Sequence, residues 1–335
     1  MINRILIVGY GSIGKRHLLL ARKYLPSACI AVLHYKMDIS IPEQADRVFS
    51  TLEEALVFAP NIAVIANPAT FHISMALPLA KLGVHLLIEK PLSHNSTDIA
   101  KLSSLCSKKK LVCFTGYNLR FLPSLKKLKE IVEDEVVGKP WSIRIETGQY
   151  LPEWRPDSDY KKSVTSQSRL GGGALLELSH EIDYLTWIFG DVDWIQASLN
   201  KLSDLDIDVE DSVFLLMKMK SHLNKEGIVA SVNLDLIRSD KSRTCTLIAE
   251  HGSIRWDCIT GCIDLYKRGG SSWTRLYEGS ETINESYDSE WRQFLLCVES
   301  ESDSENTIES GLKVIKIVEA ARKSAKLNKR VQLKV

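Results

Sequence analysis

Gly9-Tyr10-Gly11-Ser12-Ile13-Gly14 narrows what this chain can fold into more than any other segment. Glycines alone mark ordinary turns as readily as ligand loops. Here the run follows residues 2–8, an apolar stretch of strand length that is β-branched at Ile2, Ile5, Ile7 and Val8. It opens residues 13–24, where Ile13, His17, Leu20, Ala21 and Tyr24 recur at helical spacing. In a strand–turn–helix setting each glycine has its own task. The first permits the tight turn, the second lets the backbone approach a pyrophosphate, and the third allows close helix–strand packing. The helix start, Gly11 to Gly14 with Ser12 and Ile13, then offers free N–H groups to phosphates. The reading is a dinucleotide-binding loop.

Further apolar runs at 29–33, 63–66, 86–88 and 111–114 alternate with helical segments at 52–58, 72–82 and 96–107. Asn95 to Asp98 supply N-cap chemistry for the last helix. Continuous apolar strands between amphipathic helices predict a doubly wound parallel α/β sheet of Rossmann type. The 335 residues exceed one ordinary domain. The expected division is a dinucleotide-binding domain over 1–120 and a substrate-binding and oligomerisation domain over 121–335. In that second part, strands at 142–147, 194–199, 213–220, 228–236, 244–250, 253–257 and 263–266 precede a closing amphipathic helix at 306–326. They predict an α+β domain with a large, mostly antiparallel open sheet.

A net charge of +1 gives no bulk attraction to nucleic acid. No apolar run approaches the ~20 residues of a membrane span, and the start of the chain lacks a leader pattern. The seven cysteines contain no CxxC pair, and no histidine near Cys258 and Cys262 completes a metal-ligand set. Reduced thiols, no metal and a cytoplasmic location are expected.

The carboxylate that would grip an adenosine ribose belongs at the end of the second strand. There the chain reads His34-Tyr35-Lys36-Met37-Asp38. Lys36 suits a 2′-phosphate and Asp38 a ribose hydroxyl, with solvated loop residues as the plain alternative. The lysine tilts the expectation toward NADP over NAD. Beyond the carboxyl ends of later strands stand Asn67-Pro68-Ala69-Thr70-Phe71-His72 and Glu89-Lys90-Pro91. Lys90 beside a nicotinamide could transfer protons if partly desolvated, although local sequence alone makes it a surface lysine.

Residues 1–118 resemble the N-terminal domain of the Gfo/Idh/MocA oxidoreductase family. The resemblance rests on Gly9 to Gly14, Asn67-Pro68 with His72, Gly83-Val84-His85, Glu89-Lys90-Pro91-Leu92 and the crossover Gly116-Tyr117-Asn118-Leu119-Arg120-Phe121. It implies that Lys90 is catalytic and touches the nicotinamide ribose. Cofactor contacts are expected at His34 and Lys36 from their place after the second strand, and at Asn67, Pro68, His72, Glu89 and Asn118 from the matching motifs, with a substrate contact at Arg120. Gly171-Gly172-Gly173 through His180-Glu181-Ile182-Asp183 resembles the family's entry into the helix bearing its catalytic histidine, here His180. Many members carry aspartate four residues earlier, where this chain has Leu176. Glu177, three residues before, orients His180, binds substrate or packs. By spacing, residues 174–189 read as one helix ending at Gly190, with Glu177, His180 and Glu181 on one face.

Upstream, Trp154 and Tyr160 could stack on a sugar ring and Arg155 could pair an anionic group, or the tryptophan simply pins its loop. The leading expectation is NAD(P)-dependent hydride transfer to or from a secondary alcohol or ketone of a sugar, sugar nucleotide or polyol, in surface-carbohydrate synthesis. An NAD-dependent glycosidase with transient redox and a non-enzymatic dinucleotide sensor are the alternatives. A homodimer or homotetramer is implied by relatives that use the free sheet face for subunit contact.

Overall fold

A computed structural model describes residues 2–35, 40–280, 282–300, 302 and 304–333. It divides into two compact units, Met1–Tyr117 with Tyr287–Ile315, and Asn118–Ser286 with Lys316–Val335.

The first unit runs β1 (Arg4–Val8), α1 (Ser12–Tyr24), β2 (Cys29–Leu33), β3 (Arg47–Phe49), α2 (Leu52–Phe58), β4 (Ile62–Ile65), α3 (His72–Lys81), β5 (His85–Glu89), α4 (Ile99–Lys109) and β6 (Cys113–Gly116). The strands pair in parallel in the order β3-β2-β1-β4-β5-β6. Ile5 to Val8, Ile30 to Leu33, Ile62 to Ile65 and Leu86 to Ile88 are all buried, as a sheet covered on both faces requires. Strand order reverses between β1 and β4, so their carboxyl ends flank the crevice where such sheets take ligands. Thr51 and Glu54 close a reciprocal capping box on α2. The cap expected on α4 does not form. Asp98 takes a left-handed conformation without a capping bond, while Asn95 Oδ1 accepts the Thr97 N–H.

The second unit starts with α5 (Pro123–Glu133), β7 (Pro140–Gly148), α6 (Ala174–Glu177), α7 (His180–Phe189), β8 (Asp191–Asn200), β9 (Ser212–Ser221) and β10 (Asn224–Asp235). It continues through β11 (Ser242–Ala249), β12 (Gly252–Asp257), β13 (Cys262–Lys267) and β14 (Thr274–Glu278). Then come α8 (Ile283–Ser300), whose residues from Tyr287 on belong to the first unit, α9 (Ile308–Leu327), which returns to the second unit after Ile315, and β15 (Val331–Gln332) of the second. Nine strands form one sheet in the order β14-β13-β12-β11-β7-β10-β9-β8-β15. Only β7 and β10 pair in parallel; the other neighbours are antiparallel. Burial alternates along its strands. Val213, Leu215, Met217 and Met219 of β9 point inward, while Phe214 and Leu216 are exposed.

A single cut after residue 120 assigns all later residues to the second part, yet Tyr287–Ile315 packs with the first unit. Trp291 and Phe294 of α8 are fully buried, the latter with its ring centroid 5.3 Å from that of Phe114. Among the described residues no helix is long and apolar enough to cross a membrane.

Candidate active site

The glycine loop is shaped by contacts that only glycine permits at two of its three positions. Gly9 has φ +95°, and a Cβ there would fall 2.8 Å from Ala66 O. At Gly14 a Cβ would fall 2.1 Å from Gly9 O, so α1 sits directly on the turn. At Gly11 a Cβ would meet nothing within 4 Å. That open space lies at the start of α1, whose first turn holds no acidic residue and whose N-cap makes no side-chain bond. Backbone amides facing open space are what a pyrophosphate needs, so the loop fits a dinucleotide. Ser12 is exposed and Ile13 half-buried in that first turn. His34 follows β2, its N–H bonded to Phe49 O at 2.9 Å. Lys36 and Asp38, expected to choose between NADP and NAD, lie outside the described residues.

The loops after β4 and β5 are fastened together. His72, buried at the start of α3, places Nε2 2.7 Å from Asn67 O and Nδ1 3.0 Å from Pro91 O. Burial pushes its imidazole pKa below the ordinary value. A neutral ring donates to only one of these carbonyls, and the shorter contact to Asn67 O is the natural recipient. Pro68 precedes a 3-10 turn, Ala69–Phe71. Asn67 Oδ1 and Thr70 Oγ1 are buried there without a hydrogen-bond partner. Such atoms usually bond to something, so this loop suits a polar ligand. Lys90 is half-buried beyond β5, before the cis Lys90–Pro91 peptide. The Glu89 carboxylate, expected at the cofactor, is buried between His17 Nε2 at 2.7 Å and the Lys90 N–H at 3.0 Å.

In the second unit the predicted 174–189 helix is broken. Leu178, at φ −97° and ψ 33°, ends α6, and α7 begins at His180. Glu177 and His180 therefore do not share one continuous helix face. Nearly every residue from Ala174 to Phe189 is buried, so apolar periodicity carries no trace of the break. Glu177 is half-buried, and its Oε2 accepts from Thr165 Oγ1 at 3.2 Å. His180 is buried in the first turn of α7. Two acids fix that helix. Glu181 accepts from Thr147 Oγ1 at 3.0 Å and lies 2.9 Å from Arg243 Nε. Asp183 takes Arg120 in a bidentate pair at 2.8 and 2.6 Å.

Arg120 was expected at the substrate. Its guanidinium is instead buried against Asp183 and lies 5.5 Å over the Trp187 ring, so it braces α7. Asn118, expected at the cofactor, is buried and donates from Nδ2 to Ser286 Oγ at 2.7 Å. In the predicted sugar-stacking loop, Trp154 Nε1–H donates to Gln149 O at 3.0 Å and Tyr160 Oη accepts the Asp206 N–H at 3.3 Å. Trp154 thus pins its own loop and Tyr160 ties that loop to the segment at Asp206, while Arg155 is exposed. His17, Trp291 and Thr165 carry no role that the sequence predicts, and Thr70 and Asp183 appear in it only as members of motifs. Asp183 and Glu181 did leave a signal, being charges within an apolar helix that demand buried partners. Trp291 left none, because its partner is 274 residues away.

A cleft of about 580 Å³ opens at the opposite, amino-terminal ends of β1, β4 and β5, beside Arg4, Asn61 and His85, and none of the candidate site residues lines it. Another, of about 440 Å³, borders the glycine-rich loop at Gly172, with Asp208, Glu210 and Arg322. Among the described residues no group of three or more His, Cys, Asp or Glu side chains gathers in metal-binding geometry.

Residues 3–117 match the model of an oxidoreductase family with an NAD-binding Rossmann fold, and residues 125–255 match the GFO/IDH/MocA C-terminal domain. The chain is 26% identical to myo-inositol 2-dehydrogenase of Thermotoga maritima over 98% of each chain. A solved levoglucosan dehydrogenase in complex with NADH and levoglucosan superposes with a TM-score of 0.84 at 19% identity, covering 99% of each chain. The WlbA dehydrogenase of Bordetella pertussis, solved with NADH and UDP-GlcNAcA, superposes at 0.81 with 20% identity over 100% of each chain. The chain belongs to the Gfo/Idh/MocA oxidoreductase family, carrying its NAD-binding Rossmann domain and its C-terminal domain.

Proposed function

We propose that this protein oxidises a secondary alcohol of a sugar, sugar nucleotide or polyol, or reduces the matching ketone, with a nicotinamide dinucleotide. The carrying observation is Lys90 at the carboxyl end of β5, in the same tier of loops as the Gly11 opening and the unsatisfied Asn67 and Thr70 oxygens. A bound nicotinamide ring supplies the two-electron chemistry. Gly9, Gly11 and Gly14 with Ser12 and Ile13 bind the dinucleotide, and Asn67, Pro68 and His72 line its nicotinamide half. Lys90 takes the alcohol proton during oxidation and returns it during reduction, as a general acid–base. His180 is assigned to proton chemistry on the substrate by the family resemblance, and Glu177, beside Thr165, to substrate orientation.

Full-length similarity to the Thermotoga maritima inositol enzyme supports a polyol or sugar substrate. A sugar nucleotide of surface-carbohydrate synthesis is the narrower version, supported by the likeness to WlbA with UDP-GlcNAcA. Lys36 supports NADP over NAD; tighter binding of NAD in a fluorescence titration of both would overturn that preference. Exposed Phe214 and Leu216 of β9 and Val229 of β10 share one sheet face and support a homodimer or homotetramer, measurable by light scattering.

The test is a 340 nm assay of wild type and Lys90→Ala on a panel of inositols, anhydrosugars and UDP-sugars. Wild type should turn over at least one. Lys90→Ala should lower kcat by at least ~100-fold while dinucleotide binding is largely kept. Equal turnover in the variant removes Lys90 from the mechanism. Cleaved glycoside with no net absorbance change would identify a transient-redox glycosidase instead.

A further inference from the structure

Lys90 can transfer a proton in register with a hydride only if its loop is held in place. Behind it, buried groups of the first unit form one continuous hydrogen-bonded chain. Trp291 of α8 and His17 of α1 are both fully buried. The indole Nε1–H of Trp291 donates to His17 Nδ1 at 2.8 Å. An indole nitrogen only donates, so Nδ1 must present its lone pair. The ring proton therefore sits on Nε2, which donates to Glu89 Oε1 at 2.7 Å. Glu89 Oε2 accepts the Lys90 main-chain N–H at 3.0 Å.

The same carboxylate is pressed against β6. A Cβ on Gly116 would fall 3.1 Å from Glu89 Cα and 3.3 Å from its Oε2. Glu290, next to Trp291 in sequence and equally buried, has a hydrogen-bond partner for neither carboxyl oxygen. Burial, with the charge of Glu89, holds the Glu290 carboxyl well above the ordinary range. Glu290 is thus the neutral partner, while two donors meet the Glu89 side chain.

We infer that His17 is a positioning residue for the Lys90 loop. Trp291 sets its tautomer, His17 holds Glu89, and Glu89 grips the main chain of Lys90. The catalytic consequence rests on the oxidoreductase reading, whereas the hydrogen-bonded chain does not.

Three variants separate the links. His17→Leu removes the donor to Glu89, His17→Gln restores an N–H there, and Trp291→Phe removes the indole donor while keeping a ring. Nitrogen-15 NMR of histidine-labelled protein reads the His17 tautomer without turnover. It should show one Nε2–H form in wild type and loss of that single form in Trp291→Phe. With the best polyol of the panel, His17→Leu should lower kcat at least ~10-fold, the scale of a displaced catalytic group. His17→Gln should recover most of that loss, with KM and dinucleotide Kd within about threefold of wild type in both.

An Nδ1–H form in wild type overturns the inference. So does a His17→Leu kcat within about twofold of wild type, or a His17→Gln no better than His17→Leu. If His17→Leu does not fold, Trp291→Phe carries the kinetic arm, and an unchanged kcat there counts against the inference. Should wild type turn over no polyol, the oxidoreductase reading falls, and the NMR result alone decides the chain.

Discussion

Gly11 and Gly14 stand three residues apart in one loop, yet a methyl group added at each meets different surroundings. At Gly14 it lands on the Gly9 carbonyl, so Gly14→Ala should lower unfolding stability by at least about 1–3 kcal/mol through overpacking. At Gly11 it enters open space at an ordinary φ of −77°, so Gly11→Ala should change stability by less than about 1 kcal/mol. Its effect should fall on the ligand, weakening dinucleotide binding by about tenfold or more, or about 1.4 kcal/mol. Denaturant melts and fluorescence titrations read both. A Gly11→Ala protein that binds normally would remove the pyrophosphate from this loop. These glycines were legible in sequence because their work is local backbone geometry. Arg120 was not, since an arginine beside an expected site reads the same whether it faces substrate or a buried aspartate.

At the scale of elements, α7 shows the same limit. Its existence was legible, with its last residue before Gly190, but not its start at His180. The break at Leu178 lies within a stretch buried on every side, where no polar stripe marks the turn. What fixes α7 is tertiary: Glu181 to β7 and β11, and Asp183 to Arg120. The arginine–aspartate pair is 6% and 2% exposed, so removing one partner strands a buried charge. Asp183→Asn should cost about 3–5 kcal/mol in a denaturant melt, and Arg120→Met with Asp183→Leu should recover much of it. A single variant costing under about 1 kcal/mol would mean that solvent reaches the pair and that α7 is held by packing alone. The edge strands β3, β14 and β15 left weak signals for a related reason: three- to five-residue or shorter strands with charged or exposed positions have no alternation long enough to read.

For the whole molecule, both sheets were legible because a doubly wound sheet needs continuous apolar strands and an open sheet needs alternating ones. The assignment of 287–315 to the first unit was not, because contacts such as Trp291 with His17 join distant parts of the chain. That segment brings Glu290 into the first core, and its raised pKa ties global stability to pH. The folded carboxyl stays protonated above the ordinary glutamate pKa of 4.5, where the unfolded chain ionises. Stability from this group is therefore complete below about pH 4.5 and is lost as pH rises toward the folded pKa, at up to about 1.4 kcal/mol per pH unit. Glu290→Gln lacks that slope, so its stability relative to wild type should rise as pH climbs above about 4.5 in paired melts. Parallel curves would show that Glu290 ionises in the folded protein. Glu89, the neighbouring charge, is common to both proteins and cancels in the comparison.

The central claim is direct hydride transfer from a carbinol carbon, and isotope transfer tests it without intermediaries. Wild-type protein is given the polyol it turns over, deuterated at the carbinol carbon, with unlabelled oxidised dinucleotide in ordinary water. Mass spectrometry of the reduced dinucleotide should show one deuterium per molecule formed, with that label absent when Lys90→Ala stops turnover. Reduced dinucleotide without deuterium, or deuterated substrate consumed with none reduced, would contradict the account.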